Sequence, residues 1–152
     1  MFCFEEITIG DKPLFDSFFK AKKYENSEFT FTNLFIWRHF FKIRFAVCNG
    51  CLCITGQLKG CPLFVFMPLE GPFAEKGSAF EVLDELIAHF LDCGTPFLMK
   101  SLTEDMVRRI MDARPDLFTF KPERRFYDYV YLSSDLINLR GRKYHSKRNH
   151  IN

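Results

Sequence analysis

The sequence lacks any long uninterrupted run of apolar residues. Its longest run extends from Cys61 to Leu69, has nine residues and contains two prolines, whereas a membrane-spanning helix needs roughly 20. The amino terminus carries Glu5 and Glu6 and no basic residue ahead of its apolar positions, which argues against a secretory signal. These absences predict a cytoplasmic protein with no transmembrane segment, and they leave peripheral contact with a membrane open.

Several catalytic and metal-binding motifs are also missing. The sequence has no Gly-x-Ser-x-Gly elbow and no His-Glu-x-x-His helix, which disfavours nucleophilic hydrolysis and zinc-protease chemistry. Cys48, Cys51, Cys53 and Cys61 cluster around an Asn-Gly pair, but no second cysteine pair completes the usual zinc pattern. Small buried or half-buried thiols are therefore favoured over a cysteine-bound metal, and no metal site is predicted.

Phenylalanine is abundant, with 20 residues among 152, and 47% of the chain is hydrophobic. This composition is typical of one globular domain with a sizeable core. Most aromatic residues fall at core spacing, which favours packing over a lipid-binding pocket. We expect His89 on the solvated face of its helix and His39 in a structural or half-exposed position.

Hydrophobic periodicity, capping residues and turn residues predict the order β α α β β β α β α β β. Helices are expected from Asp11 to near Tyr24, from Thr30 or Thr32 through Phe41, from Ala79 to Leu91 and from Glu104 to Asp112. Strands are expected over Glu5 to Ile9, Ile43 to Cys48, Cys51 to Thr55, Pro62 to Pro68, Pro96 to Lys100, Leu117 to Phe120 and Phe126 to Leu132. This order predicts a mixed α/β domain over residues 1–132, with a largely antiparallel central sheet flanked by helices.

Positive charge is concentrated at the carboxyl end. Five of the 21 basic residues and no acidic residue follow from Arg140 onward, and the remainder, with 16 basic and 19 acidic residues, has a net charge of −3. Residues 133–152 are therefore expected to form a basic connecting segment. Three interpretations stay open: a solvated helix face or linker, contact with the phosphates of an aminoacyl-tRNA, and contact with an anionic membrane surface.

Four groups of short sequence motifs resemble those of a known family. They are FTFTNLFIWR at 29–38, DYVY at 128–131, DLINL at 135–139, and GRKYH at 141–145 followed by KRNH at 147–150. These motifs resemble those of bacterial proteins related to the C-terminal domain of phosphatidylglycerol lysyltransferase. Such proteins are built as two GNAT-like halves in tandem. The resemblance implies a GNAT-like acyltransferase fold, with this chain as the first half and a second GNAT-like half as its partner.

The resemblance also implies a function. It indicates half of an acyl- or aminoacyl-transferase that moves a group from aminoacyl-tRNA or acyl-CoA to a lipid or a small acceptor, while a non-catalytic GNAT-like binding module is the alternative. No catalytic residue is assigned. The candidate substrate-binding residues are Trp37, Arg38, Tyr129, Lys143, His145, Arg148 and Asn149.

The resemblance places a donor loop at residues 70–78. A GNAT enzyme holds the pyrophosphate of its donor on backbone N–H groups at the start of the helix after the fourth strand. In this loop Pro72 supplies no N–H, and Glu70 and Glu75 bring negative charge that only Lys76 opposes. We therefore expect this half to bind no cofactor of its own.

Overall fold

The computed structural model describes residues 2–22, 24 and 26–151, with their side chains except those of Lys143 and Ile151. The chain forms two compact units, of which the first ends at Lys121 and the second begins at Pro122. This division lies ahead of the boundary that the sequence suggested at residue 132.

Strands and helices of the first unit follow one another in an order close to the expected one. They are β1 (Glu5–Glu6), α1 (Lys12–Ala21), α2 (Phe31–Trp37), β2 (Arg44–Cys48), β3 (Cys51–Gly56), β4 (Phe64–Val65), β5 (Leu69–Glu70), α3 (Ser78–Asp92) and α4 (Glu104–Ala113). A short 3-10 turn, Ile9–Asp11, precedes α1.

The strands form one antiparallel sheet in the order β1-β2-β3-β4, and β5 pairs with β3 as well. Asn49 and Gly50 connect β2 to β3 with φ angles of 47° and 73°, the left-handed values that a type I′ hairpin turn requires. All residues of β3 are buried, so this strand lies at the centre of the sheet. The mixed α/β fold with an antiparallel sheet and flanking helices is confirmed.

The core of the first unit lies between the sheet and its helices. Val82, Leu83 and Leu86 of α3 and Phe15 of α1 are fully buried, and the Phe15 ring packs edge-on against Phe45 of β2 with centroids 4.9 Å apart. The predicted helix over 79–91 is confirmed within one residue at each end, because its apolar spacing matches the helical period.

Capping residues determine where two helices begin. The Thr30 hydroxyl accepts a hydrogen bond from the Asn33 N–H, and the Thr103 hydroxyl accepts one from the Met106 N–H, each at 3.3 Å. Asp11, in contrast, does not cap α1 through its side chain. Its carboxylate accepts hydrogen bonds from the backbone N–H and the hydroxyl of Thr8 instead, at 2.7 and 2.8 Å.

Several expected elements were wrong. The second helix ends at Trp37, well short of Phe41. The strand over 62–68 is reduced to Phe64–Val65, the strand over 96–100 to one parallel bridge between Met99 and Val65, and residues 117–120 and 126–132 form no strand. Alternating side chains suit a strand, but a ladder forms only where a partner strand is available.

The second unit contains short helical segments. They are a 3-10 turn at Arg124–Phe126, α5 (Ser133–Asn138), a 3-10 turn at Arg142–Tyr144 and α6 (His145–Ile151). Tyr144 is buried, and its hydroxyl donates a hydrogen bond to the Asp135 carboxylate at 2.8 Å. In the described part of the chain, no helix has both the length and the apolar character to span a membrane.

Gly71 offers a test of the close approach between β5 and the β2–β3 turn. Its N–H donates to the Gly50 carbonyl at 2.9 Å, and a Cβ at Gly71 would lie 2.8 Å from the Phe18 ring and 2.9 Å from the Gly50 oxygen. We expect Gly71→Ala to lower the free energy of unfolding by about 1–3 kcal/mol, measured by chemical denaturation.

Gly10→Ala is the matched control, because its Cβ would meet nothing closer than Thr8 Oγ1 at 3.6 Å. We expect this control to change stability by less than about 0.5 kcal/mol. Equal unfolding midpoints for both variants would contradict the packing described here.

Candidate functional site

The amino-terminal end of α3 follows the loop at residues 70–78, where the resemblance placed the donor phosphates. Glu70, the last residue of β5, is only 6% exposed, and its Oε1 accepts hydrogen bonds from the N–H groups of Gly77 at 2.8 Å and Ala79 at 3.4 Å. Its Oε2 forms an ion pair with Lys22. The carboxylate of Glu70 therefore occupies this end of the helix itself.

Neighbouring N–H groups are also engaged within the chain. The Ser78 N–H donates to the Glu75 carbonyl at 3.1 Å, and the Phe80 N–H donates to the Gly77 carbonyl at 3.0 Å. Each N–H from Gly77 to Phe80 thus has an acceptor. A phosphate at this position would have to displace the Glu70 carboxylate from both of its N–H donors.

The carboxylate of Glu70 is held in its charged form. Burial by itself would raise its pKa, but the hydrogen bonds from Lys22, Gly77 and Ala79 outweigh that effect and lower the pKa below the ordinary value. Burial, followed by the negative charge of Glu70, raises the pKa of Tyr24 to about 12. The carboxylate at the start of α3 is therefore ionised at neutral pH and is paired with Lys22.

Trp37 and Arg38 are neighbours in sequence, but their side chains have different surroundings. Trp37 ends α2, is 47% exposed and packs edge-on against Phe40 and Phe41, with ring centroids 5.8 and 6.0 Å away. The half-buried Arg38 guanidinium lies 3.8 Å from the centroid of the Phe35 ring and donates to the Phe35 carbonyl at 2.5 Å. Packing thus holds Arg38 more firmly than Trp37.

The other candidate residues belong to the second unit. Tyr129 is 87% exposed, and His145 and Asn149 lie on α6 with Nε2 and Nδ2 3.4 Å apart. Nη1 of Arg148 donates to the carbonyls of Leu139 and Gly141, the latter at 3.0 Å. The side chain of Lys143 lies outside the described residues.

Arg148 therefore has a local structural role that the sequence did not reveal. Its two acceptors flank a turn in which Leu139 and Gly141 have φ angles of 47° and 89°, so the guanidinium connects α6 to that turn. Lys147, a basic residue of the same segment, lies 4.3 Å from the centroid of the Tyr131 ring. The sequence motifs identified this segment, but they did not predict the contact of Arg148 with backbone carbonyls or that of Lys147 with the Tyr131 ring.

The capping role of Glu70 was also missed. The sequence indicated that Glu70 brings negative charge toward the donor loop, but nothing in it predicted the pairing with Lys22, which lies 48 positions away. An acid seven residues before the glycine that precedes a helix is the available signal, and it is a weak one.

The cysteines confirm the interpretation as small packed thiols. Cys51 and Cys53 are buried on β3, Cys48 and Cys61 are half-buried, and all are free thiols. The Cys51 sulfur lies 3.3 Å from the Ser78 hydroxyl. Within the described ranges, no group of three His, Cys, Asp or Glu side chains is placed to hold a metal ion.

These features define a GNAT-like mixed α/β protein whose helix terminus is capped by its own carboxylate. The chain belongs to the family described as "Phosphatidylglycerol lysyltransferase, C-terminal", whose model matches residues 19–152. The expected family is thereby confirmed. No curated protein matches the chain.

A solved structure is similar over nearly the whole chain. It is the crystal structure of a conserved protein of unknown function from Bacteroides thetaiotaomicron VPI-5482, with 31% sequence identity and a TM-score of 0.88. The match covers 99% of this chain and 49% of the solved one. The chain therefore spans about half the length of that relative.

Replacing the buried acid tests the cap. We expect Glu70→Gln to lower the free energy of unfolding at neutral pH by about 1–3 kcal/mol, because Lys22 and two N–H groups lose a charged acceptor. Glu75→Gln, at an exposed position in the same loop, is the matched control, and we expect it to be nearly neutral in denaturant titrations.

The pH dependence of stability gives a second measure of the same cap. Since the folded pKa of Glu70 is lowered, its contribution is present above the ordinary value of about 4.3 and is lost as the pH falls through the folded pKa. The wild-type chain should therefore lose more stability than Glu70→Gln on acidification below about pH 4.3. Parallel pH profiles would contradict this assignment.

Arg148→Ala tests the contact between α6 and the preceding turn. We expect faster amide hydrogen exchange over residues 139–151, because two carbonyls lose their donor. The melting temperature of the unit that ends at Lys121 should change little. Arg142→Ala, an exposed residue in the same segment, should leave the exchange rates unchanged, and equal exchange in both variants would exclude this role for Arg148.

Proposed function

We propose that this chain is the first half of an acyl- or aminoacyl-transferase and that it does not hold the activated donor itself. Membership in the phosphatidylglycerol lysyltransferase C-terminal family supports a transferase relationship. The match to 49% of a longer relative supports an arrangement in which a second GNAT-like half accompanies this one.

The observation that carries the proposal is the carboxylate at the start of α3. A donor with a pyrophosphate, such as acyl-CoA, needs free N–H groups and a positive local potential at such a helix end. Here Glu70 takes the N–H groups of Gly77 and Ala79 and adds a negative charge. Pro72, in the loop between Glu70 and Gly77, has no N–H to offer.

The second half would then bind the activated donor and carry out the transfer reaction. Aminoacyl-tRNA or acyl-CoA would dock there and transfer its group to a lipid or a small acceptor, with this half shaping the acceptor side. Exposed Arg142 and Lys147 support contact with an anionic partner, which is aminoacyl-tRNA or an anionic membrane surface. We propose a cytoplasmic location, with peripheral contact to the membrane in the case where the anionic partner is a membrane surface.

A second candidate is a non-catalytic GNAT-like binding module. The same cap favours it for this chain taken alone, because a helix end occupied by its own carboxylate has no vacant donor site. Under this alternative, the fold recognises or packs against a partner domain, and no group transfer occurs in either half.

Transfer assays separate these candidates. This chain and a form extended beyond residue 152 by a second GNAT-like half are both assayed with aminoacyl-tRNA and with acyl-CoA as donors. We expect transfer in the extended form alone, and no saturable binding of coenzyme A to the short chain in calorimetric titrations.

Each remaining outcome has a definite meaning. Transfer by the short chain, or stoichiometric binding of coenzyme A to it, would overturn the proposal that this half lacks the donor site. Inactivity of both forms with every donor would favour the binding module.

A further inference from the structure

A cleft in the first unit lies beside the edge strand β1. It has a volume of about 590 Å³ and is lined by β1, by the turn after α2, by β2 and β3, and by α3. A volume of this size suits a small molecule. We propose that this cleft binds a small phosphate ester whose organic part is compact and apolar.

The charge of the lining favours an anion. Arg38, Lys42 and Arg44 line the cleft, with Glu6 as the acidic residue among the described lining side chains. Glu6 pairs with Arg44 at 3.3 Å, but both side chains are more than half exposed, so the pair is weak, and two of the three cations have no acidic partner in the part of the lining that the structure describes. A phosphate monoester offers three terminal oxygens and up to two negative charges, so it matches three cations better than a carboxylate does.

Arg38 and Lys42 lie on the turn between α2 and β2, and Arg44 begins β2. The Arg38 guanidinium is stacked on the Phe35 ring at 3.8 Å, and the Ile43 N–H donates to the Arg38 carbonyl at 2.8 Å. Lys42 has a φ of 44°, a left-handed conformation that is strained for a residue with a side chain. Strained backbone of this kind concentrates at functional sites.

Two histidines add hydrogen-bonding groups to the cleft. His89 was expected on a solvated helix face, but it is half-buried, and its ring lies 5.5 Å from Phe2 and 6.5 Å from Phe4 between centroids. His39 is exposed at the same cleft. An imidazole N–H can donate to a phosphate oxygen, so both side chains extend the set of oxyanion donors.

The remaining wall determines the size of the organic part. Phe4, Ile43, Leu63 and Phe90 line the cleft together with the cations. An aromatic ring or a short aliphatic chain would remove this apolar surface from water while its phosphate contacts the basic turn. Phenyl phosphate is therefore a suitable probe, with phenol and benzoate as its uncharged and carboxylate counterparts.

Titration of the full chain with phenyl phosphate, followed by calorimetry and amide chemical shifts, tests the cleft. We expect one saturable site, with shifts at Thr55, Gln57 and Thr95, which line it. Binding should weaken as salt is raised, and benzoate and phenol should bind successively more weakly. Lys42→Gln and Arg44→Gln should each weaken phenyl phosphate binding about tenfold.

Arg108→Gln is the control, because Arg108 is an exposed residue of α4 that does not line the cleft. Competition with vesicles of phosphatidic acid in phosphatidylcholine distinguishes a lipid phosphate from a soluble ester: displacement of the probe indicates the lipid source, and no displacement the soluble one. Absence of saturable binding, equal binding of phenol, or equal losses in Arg108→Gln and Lys42→Gln would overturn the proposal. Folding of each variant is checked by its melting temperature.

Discussion

The carboxylate of Glu70 connects three elements that are distant in sequence. It ends β5, accepts hydrogen bonds from the first N–H groups of α3, and pairs with Lys22 just after α1. A carboxylate this deeply buried is tolerated only if charged and dipolar partners replace the water it has lost. Glu70 therefore links α1, β5 and α3 through one side chain, in addition to their packing in the core.

Acidic and basic groups of the first unit lie at two different positions. Negative charge is fixed at the start of α3, where a related fold would accept a phosphate. Positive charge gathers instead at the turn from Arg38 to Arg44, where the backbone of Lys42 is left-handed. An anionic ligand is thus disfavoured at the first place and favoured at the second, although both lie on the same sheet-and-helix framework.

Features set by local chemistry could be predicted from the sequence. The Asn49–Gly50 turn, the helix from Ser78 to Asp92 and the cap at Thr103 depend on residues close together in the chain, and the helix expected over 79–91 is confirmed within one residue at each end. The strand expected over 126–132 was wrong because alternation says nothing about whether a partner edge is available. The role of the candidate substrate-binding residues stays a prediction; Arg38, one of them, lines the cleft beside β1, to which packing also brings Lys42, Arg44 and His89.

The sequence by itself determined the family, the mixed α/β class and elements such as α3 and the Asn49–Gly50 turn, because short-range propensity and family motifs do not depend on distant contacts. Only the tertiary structure decided which charges meet. Lys22 reaches Glu70 across 48 positions, and the Arg148 guanidinium donates to backbone carbonyls of the turn before α6. Such pairings depend on the path of the folded backbone, and the spacing of the residues in the sequence does not predict them.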